Sequence, residues 1–155
     1  MRLKKSFGMA IAAFLLLLPA CQNFPSGHDL PAGFAAYPDK DTLKGVSPEG
    51  IVYRIRYAEN KPSADLPFWK EALKKRMLDA GYGFLSESGI EINRHPAYLL
   101  ELAAPVGNRD YIYMMAIYLE DKDRIAIIES AGDVVGFNKR RASILEAIKG
   151  AKGDS

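Results

Sequence analysis

Few side chains in this 155-residue chain have the chemistry for covalent catalysis. There is one cysteine, Cys21, and there are two histidines, His28 and His95. A serine or cysteine nucleophile needs a base and a group that orients the base. Ser86 and Ser88 are near His95 in sequence, but Leu85-Ser86-Glu87-Ser88-Gly89 is not a nucleophile elbow. His95 stands before Pro96, between two extended segments, and reads as a turn histidine at the surface. Zinc asks for several Cys or His ligands, and only His95 with Glu87, Glu91 or Glu101 is on offer. No segment has EF-hand spacing, and nothing selects a pair of carboxylates for sugar hydrolysis. Gly81-Tyr82-Gly83 follows a helical pattern, whereas a phosphate loop would follow a strand. The expectation is a protein with no catalytic residues, no metal and no cofactor, and so not an enzyme.

Cys21 stands apart because of what precedes it. Arg2, Lys4 and Lys5 open the chain, and no acid comes before Asp29. An apolar run of 14 residues follows, from Phe7 to Ala20. As a helix it would reach about 21 Å, short of the roughly 30 Å hydrocarbon core of a bilayer. A basic start and a short apolar stretch form the pattern of a secretory signal peptide, over 1–20.

The run closes on Leu18-Pro19-Ala20-Cys21. This resembles a bacterial lipobox, with Pro19 a less usual filler. The resemblance implies diacylglyceryl attachment at the Cys21 thiol and cleavage between Ala20 and Cys21. It also implies acylation of the new amino group, commonly by palmitate. Thiolate nucleophilicity is why such a site needs cysteine. Two or three acyl chains hold a protein on a membrane where a single chain does not. Gln22, with no Asp at that position, resembles an outer-membrane sorting signal. The expected location is the outer membrane of a bacterial envelope, facing the periplasm.

The leader also changes the charge. The chain carries 21 basic and 19 acidic side chains, a net of +2. Three of the basic ones leave with the leader, so 18 remain against 19 acids and the net becomes −1. Neither value suits a dedicated nucleic-acid binder. The apolar content of 48% is that of a folded protein.

The elements around these residues read as follows. Residues 21–44, with Pro25, Gly27, Pro31, Gly33 and Pro38, read as a lipidated end and flexible linker. Phe24, Phe34 and Tyr37 are unusual in a pure spacer and fit packing against the domain. One α+β domain is expected over 45–150, with a disordered tail at 151–155. Alternation over 51–57 predicts a strand with Ile51, Tyr53, Ile55 and Tyr57 on one face and Val52, Arg54 and Arg56 on the other. Asp65 as N-cap, Pro67 in the first turn and Gly81 after the end predict a helix carrying Leu66, Trp69, Leu73, Met77 and Ala80 as its apolar stripe. Short strands at 83–87 and 90–93 are expected, turning at Ser88-Gly89. A strand at 97–104, a loop at 105–109 and a hairpin of 110–120 with 124–131 complete the sheet. Asp133 then caps a last helix whose stripe is Val134, Phe137, Ile144, Leu145 and Ile148, stopped by Gly150. The strand at 111–119 is apolar on both faces, so both faces must be covered. The fold class is α+β: a mainly antiparallel sheet of five to six strands between helices.

The segment Asp110-Tyr-Ile-Tyr-Met-Met-Ala-Ile-Tyr-Leu-Glu, then Arg124-Ile-Ala-Ile-Ile-Glu-Ser-Ala, then the helix from Asp133, resembles the PsbP/Mog1/DcrB-like fold group. That group includes photosystem accessory proteins, a small-GTPase partner and bacterial envelope lipoproteins. The resemblance implies the fold and carries no functional residue onto this chain. Fold does not fix function.

Two basic clusters, Lys70/Lys74/Lys75/Arg76 and Lys139/Arg140/Arg141, read as solvated helix faces with acids interspersed. Tyr53, Tyr57, Tyr111 and Tyr113 are candidates for an interaction surface, since tyrosine is enriched at interfaces. The expected function is a non-enzymatic accessory or protein-interaction module on a lipid anchor, with an envelope protein as partner. The alternative is a lipoprotein that binds a small ligand or lipid, which requires an enclosed apolar pocket between the sheet and one helix. A hydrolase would instead need His95 sunk in a cleft with an acid and a nucleophile.

Overall fold

The computed structural model describes residues 28–37 and 42–150. The leader, the Ala20–Cys21 junction, Phe24 and the segment 151–155 lie outside the described residues. The elements in chain order are β1 (Ala35–Ala36), β2 (Leu43–Val46), β3 (Val52–Glu59), α1 (Leu66–Asp79), β4 (Gly83–Ile92), β5 (His95–Val106), β6 (Arg109–Leu119), β7 (Arg124–Asp133) and α2 (Val134–Lys149). They build one seven-stranded sheet in the order β1-β2-β3-β7-β6-β5-β4. Every neighbouring pair is antiparallel.

The sheet starts earlier in the chain than the expected domain boundary at 45. β1 and the start of β2 fall inside the segment read as flexible linker, and His28 and Leu43 there are buried. Leu30 and Phe34 pack against the core, while Tyr37 stays 55% exposed. Short strands broken by Pro and Gly carry little periodicity, so this part of the sheet was not visible as such.

The two apolar faces of β6 explain the layers. Ile112, Met114, Ala116 and Tyr118 join the core under α2, where Phe137, Ile144 and Ile148 are fully buried. Met115 and Ile117 join a second core under α1. There Leu66, Trp69, Leu73 and Met77 are only partly buried, and α1 has no fully buried residue. Full burial of a side chain such as Phe137 contributes roughly 1.5–3 kcal/mol, so α2 is the more firmly held helix. Asp65 caps α1 by accepting from the Phe68 N–H at 2.9 Å. Asp133 caps α2 by accepting from Gly136 at 2.9 Å. Asn60 fixes how α1 enters: its Oδ1 accepts from Trp69 Nε1 at 2.6 Å, and its Nδ2 donates to the Lys122 carbonyl at 2.9 Å.

Two turns differ from expectation. Ser88-Gly89 is not a turn, because β4 runs straight through it, paired with Leu99 and Tyr98 of β5. The reversal lies at Asn93-Arg94, both at positive φ (48° and 68°). A two-residue hairpin loop needs that conformation, and Asn adopts it more readily than most residues. The expected loop at 105–109 shrinks to Gly107-Asn108, since Pro105 and Val106 continue β5, paired with Asp110 and Arg109.

Candidate functional site

The sheet is wider than its helices. Strands lie about 4.8 Å apart and a helix with its side chains is about 10–12 Å across. One helix therefore covers about two strands. α1 sits over β5 and β6. Among the described residues, no helix lies above the same face of β2, the first half of β3 and the second half of β7.

That open face carries charge. Register places Lys44, Arg54 and Glu129 in one row across β2, β3 and β7. Arg56 lies two residues along β3 from Arg54, on the same face. Glu129 is 6% exposed, the most deeply placed carboxylate among the described residues. Its Oε2 accepts from Arg54 Nε at 2.8 Å and from Arg56 Nε at 3.0 Å, and Arg54 Nη2 lies 2.7 Å away. Its Oε1 accepts from the Tyr113 hydroxyl and, at 3.5 Å, from Arg56 Nη2. The Tyr113 ring is met edge-on by Tyr82, with centroids 5.3 Å apart.

The electrostatics follow from these contacts. Burial pushes the Glu129 carboxyl upward. The Arg56 and Tyr113 hydrogen bonds and the two guanidinium charges outweigh it and hold Glu129 below the ordinary carboxylate range. Burial and the neighbouring Glu129 push Tyr113 up. At neutral pH Glu129 is ionised and Tyr113 keeps its proton as a donor. A cleft of about 250 Å³ opens beside the cluster, lined by Lys44, Val52, Arg54, Tyr113, Glu129 and Ser130 among others. Lys44 packs over the Tyr37 ring at 4.6 Å and makes no ion pair among the described residues. Two cations thus share one carboxylate, with a third, Lys44, in the same row.

The helix-borne basic clusters are arranged differently. Lys70 and Lys74 both reach Glu87, at 3.0 and 2.6 Å. Lys75 meets Asp79 at 2.5 Å. Arg140 and Arg141 make two-pronged pairs with Glu49 and Glu101. Most of these cations are matched by acids, but Lys70 and Lys74 are only 14% and 22% exposed and pack over Tyr98 and Phe84, so that part of α1 is not the solvated face expected.

The four tyrosines do not form one surface. Tyr53 is fully buried and Tyr57 half-buried in the α2-side core. Tyr111 and Tyr113 point to the other face of the sheet, by the alternation of β6. Only Tyr113 belongs to the cluster. Arg54, Arg56 and Glu129 were not singled out by type. The signal for Glu129 was one acid inside the apolar run Ile125-Ala126-Ile127-Ile128-Glu129, in a strand flanked by other strands. A carboxylate in such a place demands cations.

A second polar group lies on the α2 side. His28 is 6% exposed, contrary to its expected place in a linker. Its Nε2 is 2.8 Å from the Tyr118 hydroxyl and 3.4 Å from Asn93 Nδ2. Burial pulls His28 below its ordinary value, partly opposed by Glu120 and Asp29. His95 is half-buried, with its ring 5.4 Å from that of Tyr118. Ser86 and Ser88 are exposed on β4. Ser88 is four residues from Ile92, the partner of His95, or about 13 Å along the strand. Neither serine is brought to His95. Among the described residues no three His, Cys, Asp or Glu side chains gather as a metal site would need.

A larger groove of about 650 Å³ lies between the first turn of α1 and the β4–β5 hairpin, lined by Leu66, Pro67, Ile90, Pro96, Ala97 and Tyr98 among others.

No protein-family model matches this chain, and no curated protein does. Solved structures do. The chain is similar to the Ran-binding protein Mog1p of Saccharomyces cerevisiae, with a TM-score of 0.55 and 12% identity over 78% of this chain and 85% of that one. It also matches PsbP (CyanoP) of Synechocystis sp. PCC 6803, with a TM-score of 0.49 and 9% identity over 76% and 79%. A protein of unknown function from Pseudomonas aeruginosa, PA94, matches with a TM-score of 0.49 and 11% identity over 79% and 98%. The likeness to Mog1p establishes an α+β fold of the Mog1/PsbP type.

Proposed function

We propose that this chain is an envelope lipoprotein, cut before Cys21 and acylated there, that displays a non-catalytic protein-binding domain in the periplasm from the outer membrane. The observation that carries the anchor is Leu18-Pro19-Ala20-Cys21 at the end of a basic and then apolar leader. No helix among the described residues is long and apolar enough to cross a membrane.

His28 is buried in the domain only seven residues after Cys21. An extended chain spans at most about 3.6 Å per residue, so an acylated Cys21 holds the domain within roughly 25 Å of the bilayer. The binding-module reading draws support from the open charged face and from the separation of His95 from the serines. Mog1p, of similar fold, is a Ran-binding protein, so this architecture can serve recognition.

Labelling cells with a fatty-acid analogue tests the anchor. The wild-type chain takes up label and Cys21→Ser does not. Label persisting in Cys21→Ser overturns the assignment.

The second reading, a lipoprotein that binds a small apolar ligand or lipid, has the groove beside α1 as its candidate site, and that groove is open to solvent where the reading expected an enclosed pocket. Its volume is within the 300–1,000 Å³ of ligand sites. Retention of a fluorescent fatty acid by the purified protein, lost in Ala97→Trp, would select it over the first.

A further inference from the structure

We propose that the open face of β2, β3 and β7 is where the partner docks, and that the partner presents an acidic segment to Lys44, Arg54 and Arg56. This rests on the binding-module reading and gives it a surface and a partner chemistry.

The argument begins with charge. The cleft is lined by Lys44 and Arg54 against one carboxylate, Glu129, and Arg56 stands beside it on the same acid, so among the described residues the cluster holds two more cations than carboxylates. Lys44 and Arg54 stand directly opposite across β2 and β3. Like charges in that position destabilise a sheet, and an incoming carboxylate relieves them. Donors are also in surplus. Glu129 engages Nε and Nη2 of each guanidinium, while the Nη1 groups make no hydrogen bond among the described residues. The fork geometry of a guanidinium suits a carboxylate.

Position favours recognition of a protein. The arginine side chains are 43% and 34% exposed, while Glu129 beneath them is 8% exposed. The buried carboxylate sets the guanidinium planes and the outer edges stay open to a ligand. Val52, 37% exposed, and the Tyr113–Tyr82 pair give apolar and aromatic area beside the cations. Such a mix is typical of interface hot spots. At about 250 Å³ the cleft falls below the size of a typical small-molecule site and suits one or two inserted side chains. The other basic clusters are better matched: Lys70, Lys74 and Lys75 have Glu71, Glu87 and Asp79, and Arg140 and Arg141 have Glu49 and Glu101, which leaves one cation without an ion pair among the described residues in each, Arg76 and Lys139.

The test uses the full lipidated chain in detergent and a fluorescein-labelled octaglutamate peptide, read by anisotropy. Binding is expected, weakening steeply with salt, and octalysine should not bind. Lys44→Glu is the principal variant, because Lys44 holds no ion pair within the described domain and its loss spares Glu129. It should weaken binding about tenfold with a melting temperature no lower than that of wild type, since a carboxylate opposite Arg54 replaces a like charge. Lys139→Glu, the same charge change on the exposed face of α2, should leave binding within twofold. Equal losses in the two variants would mean a response to net charge alone and would overturn the site. Phosphatidylglycerol vesicles supply the competing source of anions. If Lys44→Glu abolishes vesicle binding and spares the peptide, the face meets lipid and the proposal fails. A photo-crosslinker placed at Val52 and, separately, at Val135 separates the two levels in whole envelopes. A crosslink from Val135 but none from Val52 overturns this face and leaves the binding-module reading standing.

Discussion

Arg54 and Glu129 stand directly opposite each other in the β3–β7 pair, with Arg54 Nε 2.8 Å from Glu129 Oε2. Arg56 Nε reaches the same oxygen at 3.0 Å, and the Tyr113 hydroxyl closes on the other. One carboxylate therefore organises three side chains from two other strands.

Removing that carboxylate should be costly. Glu129→Ala leaves two adjacent guanidiniums and a tyrosine hydroxyl without their common acceptor. Breaking a buried pair from one side costs about 3–5 kcal/mol, and the exposed edges of both arginines lower this to about 2–3 kcal/mol. Glu129→Gln keeps the shape and one acceptor oxygen and should lose about half as much. Urea denaturation followed by circular dichroism measures both. A Glu129→Ala chain as stable as wild type would show the cluster to be energetically idle.

Acid should unfold the domain in two stages. His28 is held neutral by burial, below its ordinary value of 6.5, although Glu120 and Asp29 pull the other way. The unfolded chain binds that proton more readily, so the stability His28 contributes is present above pH 6.5 and falls as pH drops through the folded value. Glu129 is likewise held below its ordinary value of 4.5, so its contribution is present above that pH and is lost below it. Stability against pH should show a first decline starting near 6.5 and a second below about 4.5. His28→Gln should abolish the first and keep the second. A His28→Gln profile that superimposes on wild type between pH 5 and 7 would refute the assignment.

Gly132 and Ile51 fit against each other with no space to spare. A Cβ on Gly132 would lie 2.2 Å from Ile51 Cδ1 and 3.3 Å from Ile51 Cα. Ile51 is fully buried, and its Cδ1 also lies against Gly136. Gly132→Ala should cost about 1–3 kcal/mol as overpacking. Ile51→Val removes the clashing methyl and should itself cost about 0.5–1.5 kcal/mol. Together they should cost less than the sum of the two, by 0.5 kcal/mol or more. Strict additivity in urea melts would show that the contact does not determine the cost.

Legibility in the sequence tracked the strength of each local signal. α1 and α2 were legible at both ends, because Asp65 and Asp133 cap them and Gly81 and Gly150 stop them in the left-handed region. The double-sided β6 was legible because Ile112 to Leu119 is apolar at every position, and that placed one helix on each face. Ser88-Gly89 misled because glycine in an exposed edge strand looks like a turn. There it meets nothing, since a Cβ at Gly89 would find no atom within 4 Å. β1 and β2 stayed hidden because six residues of strand between Pro and Gly carry no period. The Glu129 cluster joins residues 44 to 129 in sequence, and such pairing comes from register, which no local pattern encodes. The four tyrosines divided because register sets Tyr53 in one row with Ser130 and Met114, one residue from Tyr113, so the β3 and β6 tyrosines face opposite sides of the sheet.

The Asn93-Arg94 turn allows a stabilising change. Arg94 has φ of 68°, a left-handed conformation that costs an L-residue with a Cβ about 1–2 kcal/mol. Arg94 is exposed and makes no ion pair among the described residues. Glycine avoids that cost but loses more backbone freedom on folding, by roughly 0.5–1 kcal/mol. Asn-Gly is also the preferred pair for a two-residue hairpin of this hand. Arg94→Gly should therefore raise stability by about 0.5–1 kcal/mol, read as a higher urea midpoint with an unchanged slope. Arg94→Val, a branched residue forced into the same backbone, should lower it by at least as much. Opposite signs for the two variants would tie the effect to backbone conformation, and a loss in both would tie it to the arginine side chain.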